Sequence, residues 1–301
     1  MSFVSLWSDG SVRISKEQRE VSVAQMKLPE RTITGNRIGL VDSARVFISA
    51  LLLWRIWYTF GKRDFAMRFR RMRLGVAWQF ITLALLLVCI GMIYSQIFKQ
   101  NVQSFLVFLS CSLILWFYLT ASMDAGCYAF VGSEGYIKQL PVPPLTYAFR
   151  GFMGTTLAFL LQVPAFFVVK LVFQRTFWWD MLWAIPGLLL FGIAACLHGA
   201  ILAYLNARIR DFQPAVSALM QLMFYVTPII ITPAQLDGIG HPEIYLYNPQ
   251  YHLLNIVRGP LLQGGGPPLL SWAVTLGLIG FLLLVLLLLI GRYDRRIVYY
   301  L

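Results

Sequence analysis

Few residues in the sequence have the types and spacing that catalytic chemistry requires. The carboxylates Asp124, Asp237 and Glu243 are isolated from one another along the chain, so no acid–base pair is evident. The Gly61-Lys62 pair is followed by Arg63 and lacks the glycine pattern of a loop whose backbone amides hold nucleotide phosphates. We therefore expect no catalytic site and no nucleotide-binding site in this chain.

Cysteine spacing also predicts neither a disulfide framework nor a metal site. The four cysteines are scattered, and paired spacing is what indicates either kind of site. We interpret them as small apolar core residues, and we expect no metal and no cofactor in this chain.

A basic and aromatic run precedes the first long apolar stretch. The following stretch, residues 76–98, has no ionised side chain and, at about 1.5 Å per residue, is long enough to cross about 30 Å of hydrocarbon. We expect the basic run to lie against lipid phosphates where the chain turns into the membrane. Its members are Lys62, Arg63, Phe65, Arg68, Phe69, Arg70, Arg71 and Arg73.

The composition indicates membrane-spanning segments along most of the chain, because 58% of residues are hydrophobic and only 13% are charged. No alternating strand pattern is present, and backbone amides in lipid must be satisfied within each segment. The sequence therefore predicts an all-α integral membrane protein with six transmembrane helices. The six apolar blocks are 76–98, 104–123, 145–169, 181–205, 214–231 and 269–290.

The distribution of Lys and Arg predicts the orientation. Residues 1–75 hold 14 of the 25 basic residues, and further ones follow the second, fourth and sixth blocks. Basic residues favour the cytoplasmic side, so we expect both termini to be cytoplasmic. We attribute the net charge of +12 to this orientation and to contact with anionic membrane lipids, and we do not expect nucleic-acid binding.

Three regions follow from these patterns. Residues 1–43 are a polar N-terminal extension, residues 44–75 are an amphipathic and basic interface segment, and residues 76–301 form the six-span domain. Within the interface segment, residues 44–60 predict a helix lying in the membrane interface that breaks at Gly61; a seventh span is the alternative.

The spans contain almost no charge that ion coupling could use. Asp124 and Arg150 fall near block ends, and His198 is the histidine well inside a block. We expect His198 to bond a neighbouring backbone carbonyl rather than relay protons. Energy for any transport should then come from another chain.

Six sequence pieces follow one another in a recognisable order. They are RFRRMRLGVAWQF at 68–80, GMIYSQIF at 91–98, GYIKQLPVPP at 135–144, ARIRDFQPAV at 207–216, FYVTPIII at 224–231 and YNPQYHLLNIVRGPLL at 247–262. Together they resemble the permease subunits of ABC-2 type exporters of bacterial surface polysaccharides such as O-antigen, capsule and teichoic acid. The resemblance begins near Trp54 and continues to the C-terminus.

This resemblance implies a homodimer in the bacterial inner membrane, bound to two separate ATPase subunits that hold ATP and Mg²⁺. The implied cargo is a lipid-linked polysaccharide, with O-antigen foremost. It also implies a coupling segment to the ATPase at Glu134, Tyr136, Ile137 and Lys138, just before three prolines; an ordinary interhelix loop is the alternative. A cytoplasmic gate or interface is implied at Arg68, Arg70, Arg71, Arg73, Arg210 and Asp211.

The outer end of the pore has its own candidates. The prolines between residues 227 and 263, together with an apolar stretch too short to cross and return, predict short re-entrant helices at the outer face. Arg258 is then a candidate for the outer mouth, or a cap on a helix C-terminus. Aromatic faces suit a sliding sugar chain, although the same residues could form interface belts or core. The aromatic candidates are Trp78, Tyr94, Trp116, Tyr118, Phe224 and Tyr225.

Two other functions stay open at this point. One is a membrane-embedded transferase acting on a lipid carrier, which would need Asp124, Asp237 or Glu243 as its acid or base. The other keeps the ABC-2 architecture but carries a drug or a small lipid.

Overall fold

The computed structural model describes residues 38–70, 72–174 and 179–301, and every regular element in these ranges is helical. This confirms the predicted all-α class for the described residues. The helices are α1 (Leu40–Leu52), α2 (Trp54–Arg70), α3 (Ala77–Ile97), α4 (Val102–Ala129), α5 (Glu134–Gln139), α6 (Leu145–Phe173), α7 (Ala184–Arg208), α8 (Phe212–Val226), α9 (Pro233–Ile239), α10 (Glu243–Leu246), α11 (Pro249–Gln263), α12 (Leu269–Tyr293) and α13 (Ile297–Tyr300).

Five helical segments in the described residues are long and apolar enough to cross a membrane. They are Ala77–Ile97, Val102–Ala129, Leu145–Phe173, Trp179–Arg208 and Leu269–Tyr300. The block predicted at 214–231 forms the shorter helix α8, which has 15 residues. It ends at Val226 because Thr227, which precedes Pro228, takes an extended conformation with ψ of 131°.

Helix α4 is the centre of the bundle and packs against α3, α6, α7, α8 and α11. Apolar residues surround it on all sides, as expected for a helix buried by neighbours rather than exposed along one face. Gly126 allows α7 to approach, since a Cβ there would lie 2.2 Å from the Gly199 carbonyl oxygen. Small residues of this kind bring membrane helices into backbone contact.

The interface segment forms two helices, and the predicted break at Gly61 is wrong. The chain bends instead at Leu53, and α2 then continues through Gly61 to Arg70. Gly61 is needed for helix packing: a Cβ there would lie 2.8 Å from the Arg150 carbonyl oxygen and 2.7 Å from Met153 Cβ in α6. The glycine therefore marks a close contact between two helices and not the end of one.

Helix α1 packs on α12 and α6, and the Ile38 amide donates to the Gly291 carbonyl oxygen at 3.1 Å. The predicted polar extension, residues 1–43, lies outside the described residues except for its last part, residues 38–43. The described part of the chain thus begins against the C-terminal end of α12.

Helix α11 is short but deeply buried, packed against α4, α7 and α12. Asn248 caps its N-terminus by accepting a hydrogen bond from the Gln250 amide at 2.9 Å, and Pro249 occupies the first turn, where no amide donor is needed. Arg258 of α11 contacts Ser112 and the Phe108 ring in the N-terminal half of α4. Helix α11 therefore lies at the end of the bundle opposite α5, which follows the C-terminus of α4.

Candidate coupling interface and translocation groove

Helix α5 contains the four residues of the implied coupling segment and ends before the three prolines. Ile137 anchors it, being only 1% exposed, whereas Tyr136 is 45% exposed. On the solvent side the Lys138 ammonium donates to the Glu134 carboxylate at 2.5 Å. This hydrogen bond and the charge of Lys138 hold the pKa of Glu134 below its ordinary value, with a smaller contribution from the positive charge of Arg210. The structure therefore brings together the predicted coupling residues and one predicted gate residue.

Arg150 connects α5, α2 and α6. Its guanidinium donates twice to the Asp64 carboxylate of α2, from Nε to Oδ2 at 2.5 Å and from the second Nη to Oδ1 at 2.9 Å. The same guanidinium lies 5.4 Å from the Phe60 ring and 5.8 Å from the Tyr136 ring. Tyr136 also stacks on Tyr147 of α6, with ring centroids 6.3 Å apart. Sequence reasoning placed Arg150 at a block end but missed this pairing with Asp64.

The contact geometry indicates that α2 and the first part of α6 behave as one unit. A bidentate arginine–carboxylate pair restricts relative rotation as well as separation, because both hydrogen bonds must be kept. The close approach at Gly61 fixes the helix spacing one turn away from Asp64. A force applied to α5 would reach this unit through Tyr136, which touches both Arg150 and Tyr147.

The predicted gate residues occupy two separate turns. Arg68 and Arg70 lie in the last turn of α2 and are exposed, as is Arg73 in the turn that follows. Arg210 and Asp211 lie in the exposed turn between α7 and α8. Arg71 lies outside the described residues.

A groove of about 470 Å³ lies between α3, α4 and α8, and we refer to it as the α3–α4–α8 groove. Its walls combine aromatic rings with uncharged polar groups and one carboxylate. Trp116 and Phe224 contact edge to face across it with centroids 6.0 Å apart, and the Ser217 hydroxyl donates to Asp124 at 3.3 Å. The lining residues are Leu86, Ile90, Leu113, Trp116, Phe117, Thr120, Asp124, Ser217, Met220, Gln221, Phe224 and Tyr225.

The structure brings together three of the six aromatic candidates in this groove, namely Trp116, Phe224 and Tyr225. Trp116 is largely buried and supports the wall, whereas Tyr225 is 68% exposed. Tyr118 belongs to the core: it stacks on Phe159 at 4.4 Å and shares a hydrogen bond with Thr156 at 2.9 Å.

The other two aromatic candidates lie elsewhere on α3. Tyr94 contacts Phe98 at the far end of the helix, with ring centroids 5.8 Å apart. Trp78 lies in the first turn and is half exposed. Neither lines the α3–α4–α8 groove.

Arg258, the candidate for the outer mouth or for a helix C-terminal cap, is 2% exposed and lies beside the residues that follow α8. Its guanidinium donates to the Pro228 carbonyl oxygen at 2.7 Å, just beyond the end of α8, and to Ser112 at 3.2 Å. Nearby, the Asn248 amide donates to the Thr227 hydroxyl at 3.0 Å. Helix α11 therefore holds the broken end of α8 in place.

Lys170 is a buried cation that sequence reasoning did not single out. Its ammonium is within α6, is fully buried, and donates to the Leu261 carbonyl oxygen of α11 at 2.6 Å. Lys170 directly follows the apolar block 145–169, and its contact with α11 covers the ammonium.

The three carboxylates from which a transferase would draw its acid or base do not converge. Asp124 lines the groove near the start of α8, whereas Asp237 and Glu243 follow the far end of that helix. Asp237 accepts a hydrogen bond from the Tyr245 hydroxyl at 2.7 Å, which raises the pKa of Tyr245 to about 12. Within the described ranges, no cluster of three or more histidine, cysteine or acidic residues could hold a metal ion.

His198 bonds to the backbone, as expected. Its Nδ1 lies 2.8 Å from the Ala194 carbonyl oxygen one helical turn earlier. This confirms the predicted local hydrogen bond.

Residues 55–262 match the profile of the family described as ABC-2 type transporter, which covers more than half of the chain. The chain belongs to the ABC-2 type transporter family. The match runs from the start of α2 to the end of α11, so it includes the Asp64–Arg150 pair, α5 and the α3–α4–α8 groove. This ABC-2 protein is accordingly the membrane subunit of a transporter.

Individual relatives match this ABC-2 protein over 56–67% of its length at 24–26% identity. An "O-antigen export system permease protein RfbA" from Klebsiella pneumoniae is 26% identical over 208 residues, covering 67% of this chain and 78% of that protein. A protein of the same name from Myxococcus xanthus is 24% identical over 170 residues, covering 56% of this chain and 65% of that protein. A second protein of this name from Klebsiella pneumoniae is 24% identical over 210 residues, covering 67% of this chain and 78% of that protein.

Proposed function

We propose that this ABC-2 permease exports a lipid-linked polysaccharide, with O-antigen as the foremost candidate, across the bacterial inner membrane. The observation that carries the proposal is the α3–α4–α8 groove, whose walls combine aromatic faces with Thr120, Ser217 and Gln221. Aromatic faces pack against sugar C–H groups, and hydroxyl and amide groups can exchange hydrogen bonds as a chain slides. The names of the relatives support the same cargo.

Two copies of the chain are proposed to enclose the conduit. The α3–α4–α8 groove is open on one side, and Tyr225 is largely exposed there. A second copy placed against this face would close the groove into a channel. In this arrangement α8 completes the set of six spans, and α9 to α11 are the re-entrant elements at the outer end. Both termini and α5 are then cytoplasmic.

Energy is proposed to come from two separate ATPase subunits that bind ATP and Mg²⁺ and dock against α5. The exposed Tyr136, Glu134 and Lys138 offer the docking surface. Closure of the ATPases would displace α5, and the Arg150 network would pass the movement to α2. Since α2 leads directly into α3, the movement reaches a wall of the groove.

The proposal is tested by deleting the gene in its native host. We expect surface polysaccharide to be lost while lipid-linked polysaccharide accumulates inside the cell, and intact-mass measurement of the purified complex should show two copies with two ATPase subunits. Unchanged surface polysaccharide in the deletion strain would refute the assigned cargo. Recovery of the chain without any ATPase would refute the powered mechanism.

A further inference from the structure

A second cavity, of about 420 Å³, lies on the other side of α3, between the end of α2, α4 and α6. Polar side chains from three helices face it, although the surrounding spans are apolar. Arg68 comes from α2, Gln79 and Thr82 from α3, and Thr155 and Gln162 from α6. Polar groups at membrane depth are costly and usually mark a function.

Helix lengths place this cavity at the boundary of the membrane. Helix α3 has 21 residues and is about 31 Å long, which just crosses a hydrocarbon layer of about 30 Å. Its first turn, with Trp78 and Gln79, therefore lies at the level of the lipid headgroups. Helix α6 has 29 residues and is about 43 Å long, so the part before Thr155 extends beyond that level. Arg150 forms its ion pair with Asp64 in this extension.

The cavity offers one positive charge and one unsatisfied acceptor. Arg68 is the charged residue among those that line it, and in the described part of the chain no carboxylate lies within 4 Å of its guanidinium. Gln79 Oε1 is buried and has no hydrogen-bond partner among the described residues. A buried acceptor without a donor is destabilising, so a ligand that supplies a donor is favoured here.

The deeper wall is apolar. Leu83 lies one turn further along α3, and Phe117 and Phe159 contribute rings from α4 and α6. A small free anion would leave this part unfilled, whereas a lipid would fill it with the first carbons of its chains. Phe117 also lines the α3–α4–α8 groove, so its ring and α3 separate the two cavities.

We propose that this cavity binds the headgroup of an anionic, hydroxylated glycerophospholipid such as phosphatidylglycerol. Arg68 holds the phosphate, and Gln79 accepts a hydrogen bond from a headgroup hydroxyl. Trp78 lies at the interface beside the headgroup, as is usual for tryptophan. The lipid belongs to the leaflet on the α5 side of the membrane, and the assignment of that leaflet as cytoplasmic rests on the proposed function.

The test is native mass spectrometry of the complete permease complex purified in mild detergent. Phosphatidylglycerol and phosphatidylcholine with identical chains are titrated separately. We expect phosphatidylglycerol to bind at least tenfold more tightly and Arg68→Gln to abolish this preference. The matched control is Arg70→Gln, which removes an exposed arginine of the same helical turn that does not line the cavity. It should keep the preference.

A second variant examines the hydroxyl contact. Gln79→Leu should weaken phosphatidylglycerol binding severalfold but leave phosphatidylmethanol, which has the same charge and no headgroup hydroxyl, unaffected. Equal binding of phosphatidylcholine, an equal loss in Arg70→Gln, or competition by inorganic phosphate would each overturn the proposal. Displacement of phosphatidylglycerol by equimolar polyprenyl phosphate would also overturn it, because the site would then belong to a cargo carrier. These binding measurements need no export, so they can fail independently of the deletion experiment.

Discussion

Breaking the Asp64–Arg150 pair should uncouple α2 from α6. Asp64→Asn removes the charge of the acceptor without a change in size, and Arg150→Gln removes the bidentate donor and leaves a shorter, uncharged side chain. The pair is joined at 2.5 and 2.9 Å, and Arg150 also covers the Phe60 and Tyr136 rings. Each single substitution therefore disrupts the contact that links the interface segment to the bundle.

The expected magnitude lies between two limits. Exposed ion pairs contribute about 0–1 kcal/mol, and losing one partner of a buried pair costs about 3–5 kcal/mol. Here the Arg150 side chain is 20% exposed and the Asp64 side chain 35% exposed. Solvent screening at this exposure argues for an interaction energy of about 2 kcal/mol. Because the two residues contact directly, the double variant should destabilise less than the sum of the single variants by about this amount.

The assay is a double-mutant cycle by denaturant titration of the purified chain, followed by transport in vesicles with the ATPase present. We expect export to fall in both single variants while ATP hydrolysis is largely retained, because docking at α5 is intact but its movement no longer reaches α2. Exchange of the two residues, Asp64→Arg with Arg150→Asp, should recover part of the export. An interaction energy below about 0.5 kcal/mol together with normal export in both single variants would refute the reasoning.

Three further predictions concern packing, pH and the groove. Gly126→Ala should lower the free energy of unfolding by about 1–3 kcal/mol, because the added Cβ would overlap the Gly199 backbone. Thermal unfolding measures this loss. The control Gly277→Ala, which has open space around it, should have little effect. The hydrogen bond and charge of Lys138 depress the pKa of Glu134. The stabilisation that this ion pair gives to α5 is therefore fully present above the ordinary carboxyl pKa and is lost as pH falls through the lower, folded-state pKa. ATPase binding, measured by co-purification, should therefore weaken on acidification below about pH 4.5, the ordinary pKa of a glutamate. Glu134→Gln should remove this pH dependence. A Glu134→Gln variant with the same pH profile as the original chain would contradict this prediction. Tyr225→Ala should reduce export severalfold with no change in unfolding temperature. The control Tyr299→Ala, equally exposed but outside the groove, should export normally. An equal loss of export in both variants would argue against the α3–α4–α8 groove as the conduit.

The membrane class and most helices followed from composition and block length. Uninterrupted apolar runs predicted five of the observed spans, because a backbone in lipid must satisfy its own hydrogen bonds and does so as a helix. The short helix α5 was also predictable, since Pro141 and the prolines after it cannot continue a helix. The fifth block, 214–231, was overestimated in length, because apolar character continues past Pro228 although the helix does not.

Tertiary packing decided the roles of individual polar residues. Asp64 and Arg150 are 86 positions apart in the sequence, and only the contact between α2 and α6 makes them a pair. Lys170 and Arg258 resemble membrane-flanking cations in the sequence, but both are buried and donate to backbone carbonyls of other helices or turns, those of Leu261 and Pro228. Gly61 looked like a helix break because glycine has low helix propensity, whereas the structure needs it for close packing.

The sequence by itself determined that this chain is a helical membrane protein and that any helix before Pro141 must end there. Only the tertiary structure decided which aromatic residues share a groove and which lie in the core. The physical reason is that hydrophobicity and local backbone preferences act over a few residues and can be read along the chain. Contacts between side chains depend on how separate helices pack, and similar apolar sequences are compatible with several arrangements.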